Sequence, residues 1–191
     1  MQNKALKDLT KEEIGQLFPI EITIYSNTWP KLYEQERKLI MDTLPDYMVT
    51  RIEHFGSTAI PGLSAKNTID ILMEVDFDND SNQQLIGLMR GLSYDFNWQS
   101  EGDHKHMIFV KGYDPANPGQ QTYHIHAGPK EHPLWDRILF RDYLIDHPET
   151  AKEYEKLKRE LANQFKYDRV AYRIAKTEFV RKITTKAKQE K

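Results

Sequence analysis

The chain has 191 residues, with 27 Lys and Arg against 29 Asp and Glu and a formal net charge of −2. That length fits one domain with at most an appendage, and the near-neutral balance argues against a nucleic-acid coat. There is no Cys, which excludes disulfides, zinc ribbons and thiol catalysis, while 3 Trp, 10 Tyr and 8 Phe can fill a packed core. No apolar run approaches the roughly 20 residues a membrane span needs. The first eight residues have no apolar h-region, so the sequence reads as cytoplasmic with no membrane partner. Charge is uneven along the chain: residues 149–191 hold 13 Lys and Arg against 7 Asp and Glu, leaving 14 against 22 in residues 1–148. Such a run is a solvated helical surface or a cationic wall facing an anionic ligand.

The predicted elements follow in chain order. A short helix over 11–17 follows Thr10, with Glu12 and Glu13 in its first turn. Residues 20–25 alternate apolar and polar, as a strand or extended arm does. Pro30 opens a helix over 31–43. A strand over 48–55 breaks at Gly56-Ser57-Thr58, and a more buried strand spans 68–75. A polar loop over 76–82 leads into a helix over 82–92. Strands over 94–99, 105–111 and 121–127 follow, the last two joined by a Gly112–Gly119 loop. Helices over 133–146, 148–165 and 168–187 complete the chain. Strands in the middle and helices at both ends predict an α+β fold. Residues 1–19 then form an N-terminal appendage and 133–187 a helical part of one domain over 1–191.

Gly56-Ser57 and Asp70 are the most informative spacing. A small-residue turn after a strand lets backbone N–H groups approach phosphate oxygens. A carboxylate on the next strand can hold Mg²⁺ against the same phosphates. The histidine pairs His104/His106 and His124/His126 are each spaced to share a strand face. On neighbouring strands they could bind Zn²⁺, Mn²⁺ or Fe²⁺. The first pair lies in a polar, turn-like setting and reads as half-exposed.

The run Glu53-His54-Phe55-Gly56-Ser57-Thr58-Ala59-Ile60-Pro61-Gly62-Leu63-Ser64-Ala65-Lys66, followed by Ile69-Asp70-Ile71, resembles the signature of the GrpB family (UPF0157-type). Tyr25, Trp29-Pro30 and Tyr33 extend the resemblance upstream. His124-Ile125-His126, Phe140-Arg141-Asp142-Tyr143-Leu144, Tyr154, Leu157-Lys158 and Tyr172 with Lys176 extend it downstream, so that it covers residues 20–183 in order. The resemblance implies the fold of the DNA polymerase beta-type nucleotidyltransferases: a mixed β-sheet flanked by helices, with a C-terminal helical segment. It implies no reaction, because fold does not fix function.

One departure bears on chemistry. The superfamily pattern places a second carboxylate two residues after the first, about 6.6 Å along the strand, where both can share a metal pair. Here that position is Leu72, and Glu74 is about 13 Å from Asp70 on the same rise. Leu72 reads as core and Glu74 as the strand end. With the resemblance, Lys66, Arg141, Lys158 and Lys176 become candidate phosphate ligands beside Gly56 and Ser57, since a phosphate chain needs donors from several elements. A strand parallel to that of Asp70 brings the last carboxylate in this superfamily, and His124 or His126 would stand in that region.

The expectation is a protein that binds a nucleotide or other phosphate-bearing small molecule. If it is an enzyme, it is a Mg²⁺-dependent nucleotidyltransferase with Asp70 holding the metal. The alternatives are a non-catalytic nucleotide-binding accessory module, which Leu72 favours, and a metal hydrolase using His124 and His126.

Overall fold

The computed structural model describes residues 8–99 and 105–190. Thr10 and Glu13 cap helix α1 (Lys11–Leu17) reciprocally: the Glu13 N–H donates to Thr10 Oγ1 at 3.1 Å, and the Thr10 N–H to Glu13 Oε2 at 2.8 Å. Residues 20–25 run as an extended arm rather than a sheet strand. The arm is tied at two points: Ile20 N–H donates to Lys166 O at 2.7 Å, and Thr23 and Ala65 exchange backbone hydrogen bonds. Helix α2 (Trp29–Thr43) carries Pro30 in its first turn and buries Trp29, Tyr33 and Ile40.

The strand expected over 48–55 is β1 (Arg51–Phe55). Its start is later because Met48 N–H donates to Pro45 O at 2.9 Å, closing a turn that buries Met48 and Val49 as loop residues. A single 3₁₀ turn, Ser57–Ala59, leads toward β2 (Thr68–Glu74). Helix α3 (Asn79–Gly91) begins three residues before the expected position, because Asp78 accepts from Ser81 N–H at 2.9 Å and caps it there. Strands β3 (Asp95–Gln99), β4 (His106–Lys111) and β5 (Thr122–Gly128) follow. The order across the sheet is β1-β2-β5-β4-β3, with β2 and β5 parallel and every other neighbouring pair antiparallel. The fold is thus α+β with a mixed sheet, as the order of predicted elements implied.

The two faces of the sheet differ in chemistry. Ile69, Ile71 and Met73 of β2 and Ile125 and Ala127 of β5 point to one face, where they pack with Trp29, Ile40, Leu85, Ile86 and Met89 of α2 and α3. Asp70, Leu72 and Glu74 point to the other face, beside His124 and His126 in the parallel register Asp70↔His124 and Leu72↔His126. Helix α4 (Asp136–Asp146) covers part of this second face, with Leu134 and Ile138 packed on Phe55 and Leu72.

Helix α5 (Pro148–Gln164) follows. The long helix expected over 168–187 is two helices, α6 (Arg169–Ala175) and α7 (Thr177–Gln189), separated at Lys176. The break lets Tyr172 of α6 pack on Leu161 and Ala162 of α5, while Ile183 and Ala187 of α7 pack with Phe140 and Leu144 of α4. No helix among the described residues is long and apolar enough to cross a membrane.

Candidate functional site

The Gly56-Ser57 turn is fastened to the start of β2 by buried hydroxyls. Thr58 Oγ1 donates to Thr68 O at 3.0 Å, and Thr68 Oγ1 bonds Thr122 Oγ1 at 2.8 Å. Gly56 adopts φ 72° and ψ −171°, a region essentially reserved for glycine. A Cβ at this position would lie 3.0 Å from Asp70 Cγ and closer still to Oδ2. The glycine therefore makes room for the carboxylate itself, a demand additional to any close approach of ligand to backbone.

Asp70 retains 28% side-chain exposure on the second sheet face. Burial raises its carboxyl above the usual range, against the lowering fields of Lys66, Lys176 and Arg137. These cations come from separate segments: Lys66 from the loop before β2, Arg137 from the first turn of α4, and Lys176 from the break between α6 and α7. Lys66 and Lys176 approach the same Tyr172 ring, at 5.8 Å and 4.3 Å from its centre. Burial, then Arg169 and Lys176, push the Lys66 ammonium down to about 7. Burial pushes Lys176 down to about 8 and Arg137 down to about 10, with Asp70 opposing both shifts.

On the β5 side, Arg169 Nη1 donates to Phe18 O at 2.7 Å and Nη2 to the Tyr113 hydroxyl at 2.9 Å. That hydroxyl lies 2.5 Å from His124 Nε2. Arg169 can only donate, and the pattern that gives the Tyr113 proton to Nε2 leaves His124 Nδ1–H facing Asp70 Oδ1, 3.7 Å away. Burial, Lys66 and Arg169 hold His124 down at about 3, so it is neutral. Tyr113 is placed by Gly112, whose φ of 89° and tight approach to the Gln121 carbonyl leave no space for a Cβ.

Among the described residues, Lys66, Lys176, Arg137 and Asp70 make no hydrogen bond to another protein group, and the carboxylate's one ion-pair contact is the long one to His124. Groups of this kind inside a protein are normally satisfied.

The donor set does not fit a divalent cation. Mg²⁺ is held by carboxylates and other oxygens, and here one carboxylate stands in the field of three cations. Leu72 is 1% exposed beneath Phe55, Leu134 and Ile138, and Glu74 accepts from Thr50 Oγ1 at 2.8 Å at the strand end. Leu72→Asp is therefore expected to lower stability by about 3–5 kcal/mol, by lost packing and an unpaired buried charge. A thermal melt checks this; an unchanged melting temperature would contradict the packing account.

The expected histidine–metal set Asp70, His124 and His126 does not assemble. His126 Nδ1 faces His106 Nε2 at 3.0 Å, and no group of three His, Asp or Glu suited to a metal occurs among the described residues. His106 is 5% exposed rather than half-exposed, because on β4 it packs against the rings of His126 and His132; His104 lies outside the described residues.

Two other candidates are engaged by protein groups. Arg141 is one turn beyond Arg137 and is spent on β1: its Nη1 donates to His54 O at 2.7 Å and Glu53 Oε2 at 3.1 Å, and its Nε to Asp142 at 2.7 Å. Lys158, a candidate phosphate ligand through the resemblance, is 2% exposed and donates to the Ser64 carbonyl. With Arg159 Nη2 on Ser64 Oγ at 2.8 Å, it clamps the loop that presents Lys66. The Ser57 side chain pairs with the buried Tyr154 hydroxyl.

Arg137, Arg169 and Tyr113 are the candidate residues around Asp70 and His124 that sequence reasoning missed. Arg169, Tyr172, Arg173 and Lys176 follow the i, i+3, i+4, i+7 spacing of one helical face, a signal readable within the basic run.

The GrpB protein family model matches residues 19–186. The UPF0157 protein PA4798 of Pseudomonas aeruginosa is 38% identical over 169 residues, spanning 88% of this chain and 67% of that one. The crystal structure of conserved protein GrpB from Enterococcus faecalis superposes with a TM-score of 0.76 at 26% identity, covering 89% of this chain and 98% of that one. A looser likeness, with a TM-score of 0.45 and 16% identity over 82% of this chain and 51% of that one, is to terminal uridylyl transferase 4 from Trypanosoma brucei with bound UPU. A family match that runs over most of the chain, through the Gly56 turn, Asp70 and the basic helices, places this protein in the GrpB family.

Proposed function

We propose that the protein binds a phosphate-bearing ligand, a nucleotide in its fullest form, in the cleft around Asp70. The observation that carries this reading is that Lys66, Arg137 and Lys176 all act on the Asp70 carboxylate, while among the described residues none of the four has a protein hydrogen-bond partner. Phosphate oxygens would accept from the lysines and Arg137, a charge-assisted arrangement. Asp70 would repel phosphate, so its place is against a donor on the ligand, such as a sugar hydroxyl. His124 Nδ1–H, held neutral, supports the carboxylate from the β5 side. Two-metal nucleotidyl transfer is disfavoured by Leu72, so binding without turnover is the better reading.

The test is calorimetry with ADP as the probe. Lys66→Ala and Lys176→Ala should each weaken binding by about tenfold or more, the loss of one hydrogen bond to a charged group. Arg141→Gln should leave affinity unchanged, because Arg141 serves β1. Full affinity in folded Lys66→Ala and Lys176→Ala would remove this cleft from the proposal.

A further inference from the structure

The charge of the cleft also restricts the ionic form of what it takes, an inference that rests on the reading above. Cations flank Asp70 on both sides. Arg137 lies over the Phe55 ring at 5.4 Å, and Phe55 is the partner of Asp70 on β1. Arg169 is fastened through Tyr113 to His124, the partner of Asp70 on β5. Lys66 and Lys176 meet over Tyr172 between α6 and the loop before β2. With both lysines protonated, as a bound phosphate would hold them, Lys66, Lys176, Arg137 and Arg169 against Asp70 leave three positive charges, distributed across the width of two strand spacings, about 10 Å. A single orthophosphate carries too little charge and spans too little of this width. A diphosphate tail supplies both.

We infer that the cleft takes a pyrophosphate group, from a nucleoside di- or triphosphate or from inorganic pyrophosphate, in its metal-free form, and that Mg²⁺ competes with the protein for it. The four cations occupy the electrostatic place a divalent ion would otherwise fill beside the phosphates. A chelated Mg²⁺ would bring two further positive charges against Lys66, Lys176, Arg137 and Arg169, with only Asp70 to receive them. It would also take phosphate oxygens that the side chains need.

Calorimetry of the full chain with inorganic pyrophosphate, ADP and orthophosphate, each in EDTA and in saturating Mg²⁺, tests this. The expected result is that pyrophosphate and ADP bind at least about tenfold more tightly than orthophosphate, and that Mg²⁺ weakens both by about tenfold, the loss of one charge-assisted bond. Tighter binding of ADP than of pyrophosphate would support the inference with a nucleoside-bearing source; equal affinity would support it with the phosphate tail alone. Lys66→Ala should lose affinity for pyrophosphate, and unchanged affinity in that variant would overturn the assignment to this cleft. Binding that is unaffected or tightened by Mg²⁺, or orthophosphate binding as tightly as pyrophosphate, would overturn the inference and leave the phosphate-binding reading standing. Absence of binding by all three anions in EDTA and in Mg²⁺ would overturn both.

Discussion

Gly56→Val is expected to abolish ligand binding and to lower stability together. The backbone at φ 72° and ψ −171° is one that branched residues avoid, at a cost of about 1–3 kcal/mol. The new side chain would also enter the space held by Asp70, adding about 1–3 kcal/mol of overpacking. Because Asp70 is the movable partner, relief of the clash rotates the carboxylate out of the cleft. Gly56→Ala keeps the same conflict with less bulk, so it serves as the variant that remains folded. Its melting temperature should fall and its affinity for ADP should drop by about tenfold or more. A folded Gly56→Ala with full affinity would mean that the position of Asp70 does not matter to the ligand.

The pH dependence of binding should be steep and of definite sign. Lys66 at about 7 and Lys176 at about 8 are depressed by burial, and for Lys66 also by Arg169 and Lys176. The free protein therefore loses positive charge in the cleft as pH rises through 7 to 8. A bound phosphate returns each lysine toward its ordinary value of roughly 10.4. Binding then takes up protons, and affinity falls as pH increases above about 7, approaching about tenfold per pH unit for each proton taken up. On the acid side, phosphate itself gains a proton near a pKa of about 6, so affinity should peak between about pH 6 and 7. Arg137, at about 10, stays charged across this range. Titrations from pH 6 to 9 in buffers of differing ionisation enthalpy measure the proton uptake directly. In Lys66→Arg the alkaline fall should become shallower. Affinity that is flat or rising between pH 7 and 9 would contradict the assigned role of the two lysines.

The turn and Asp70 were legible in the sequence because they are local: a strand, a glycine break and a second strand bring Gly56 and Asp70 together within one hairpin-like unit. Lys176 was legible only through the family resemblance, and its position at a helix break was not, since residues 168–187 keep an unbroken helical pattern. What decides the break is tertiary: α6 packs on α5 and α7 on α4, and one straight helix cannot serve both. Arg137 and Arg141 share a helical face by their spacing, so sequence alone could not choose between them. The choice depends on depth along α4, where Arg141 meets Glu53 and the backbone of β1. Lys158 reads as a solvated helix residue, yet packing turns it inward to the Ser64 carbonyl. Tyr113 sits in a loop with no periodicity, and the register Asp70↔His124 joins strands more than fifty residues apart. Neither is a local property.

A crystal structure of the protein with ADP in EDTA tests the central claim most directly. Phosphate oxygens are expected within hydrogen-bond distance of Lys66 Nζ, Lys176 Nζ and the Arg137 guanidinium, over a Gly56 turn that has not moved, with no metal on Asp70. Phosphates seated away from these side chains, or density for a phosphate tail that appears only with Mg²⁺ coordinated by Asp70, would contradict it.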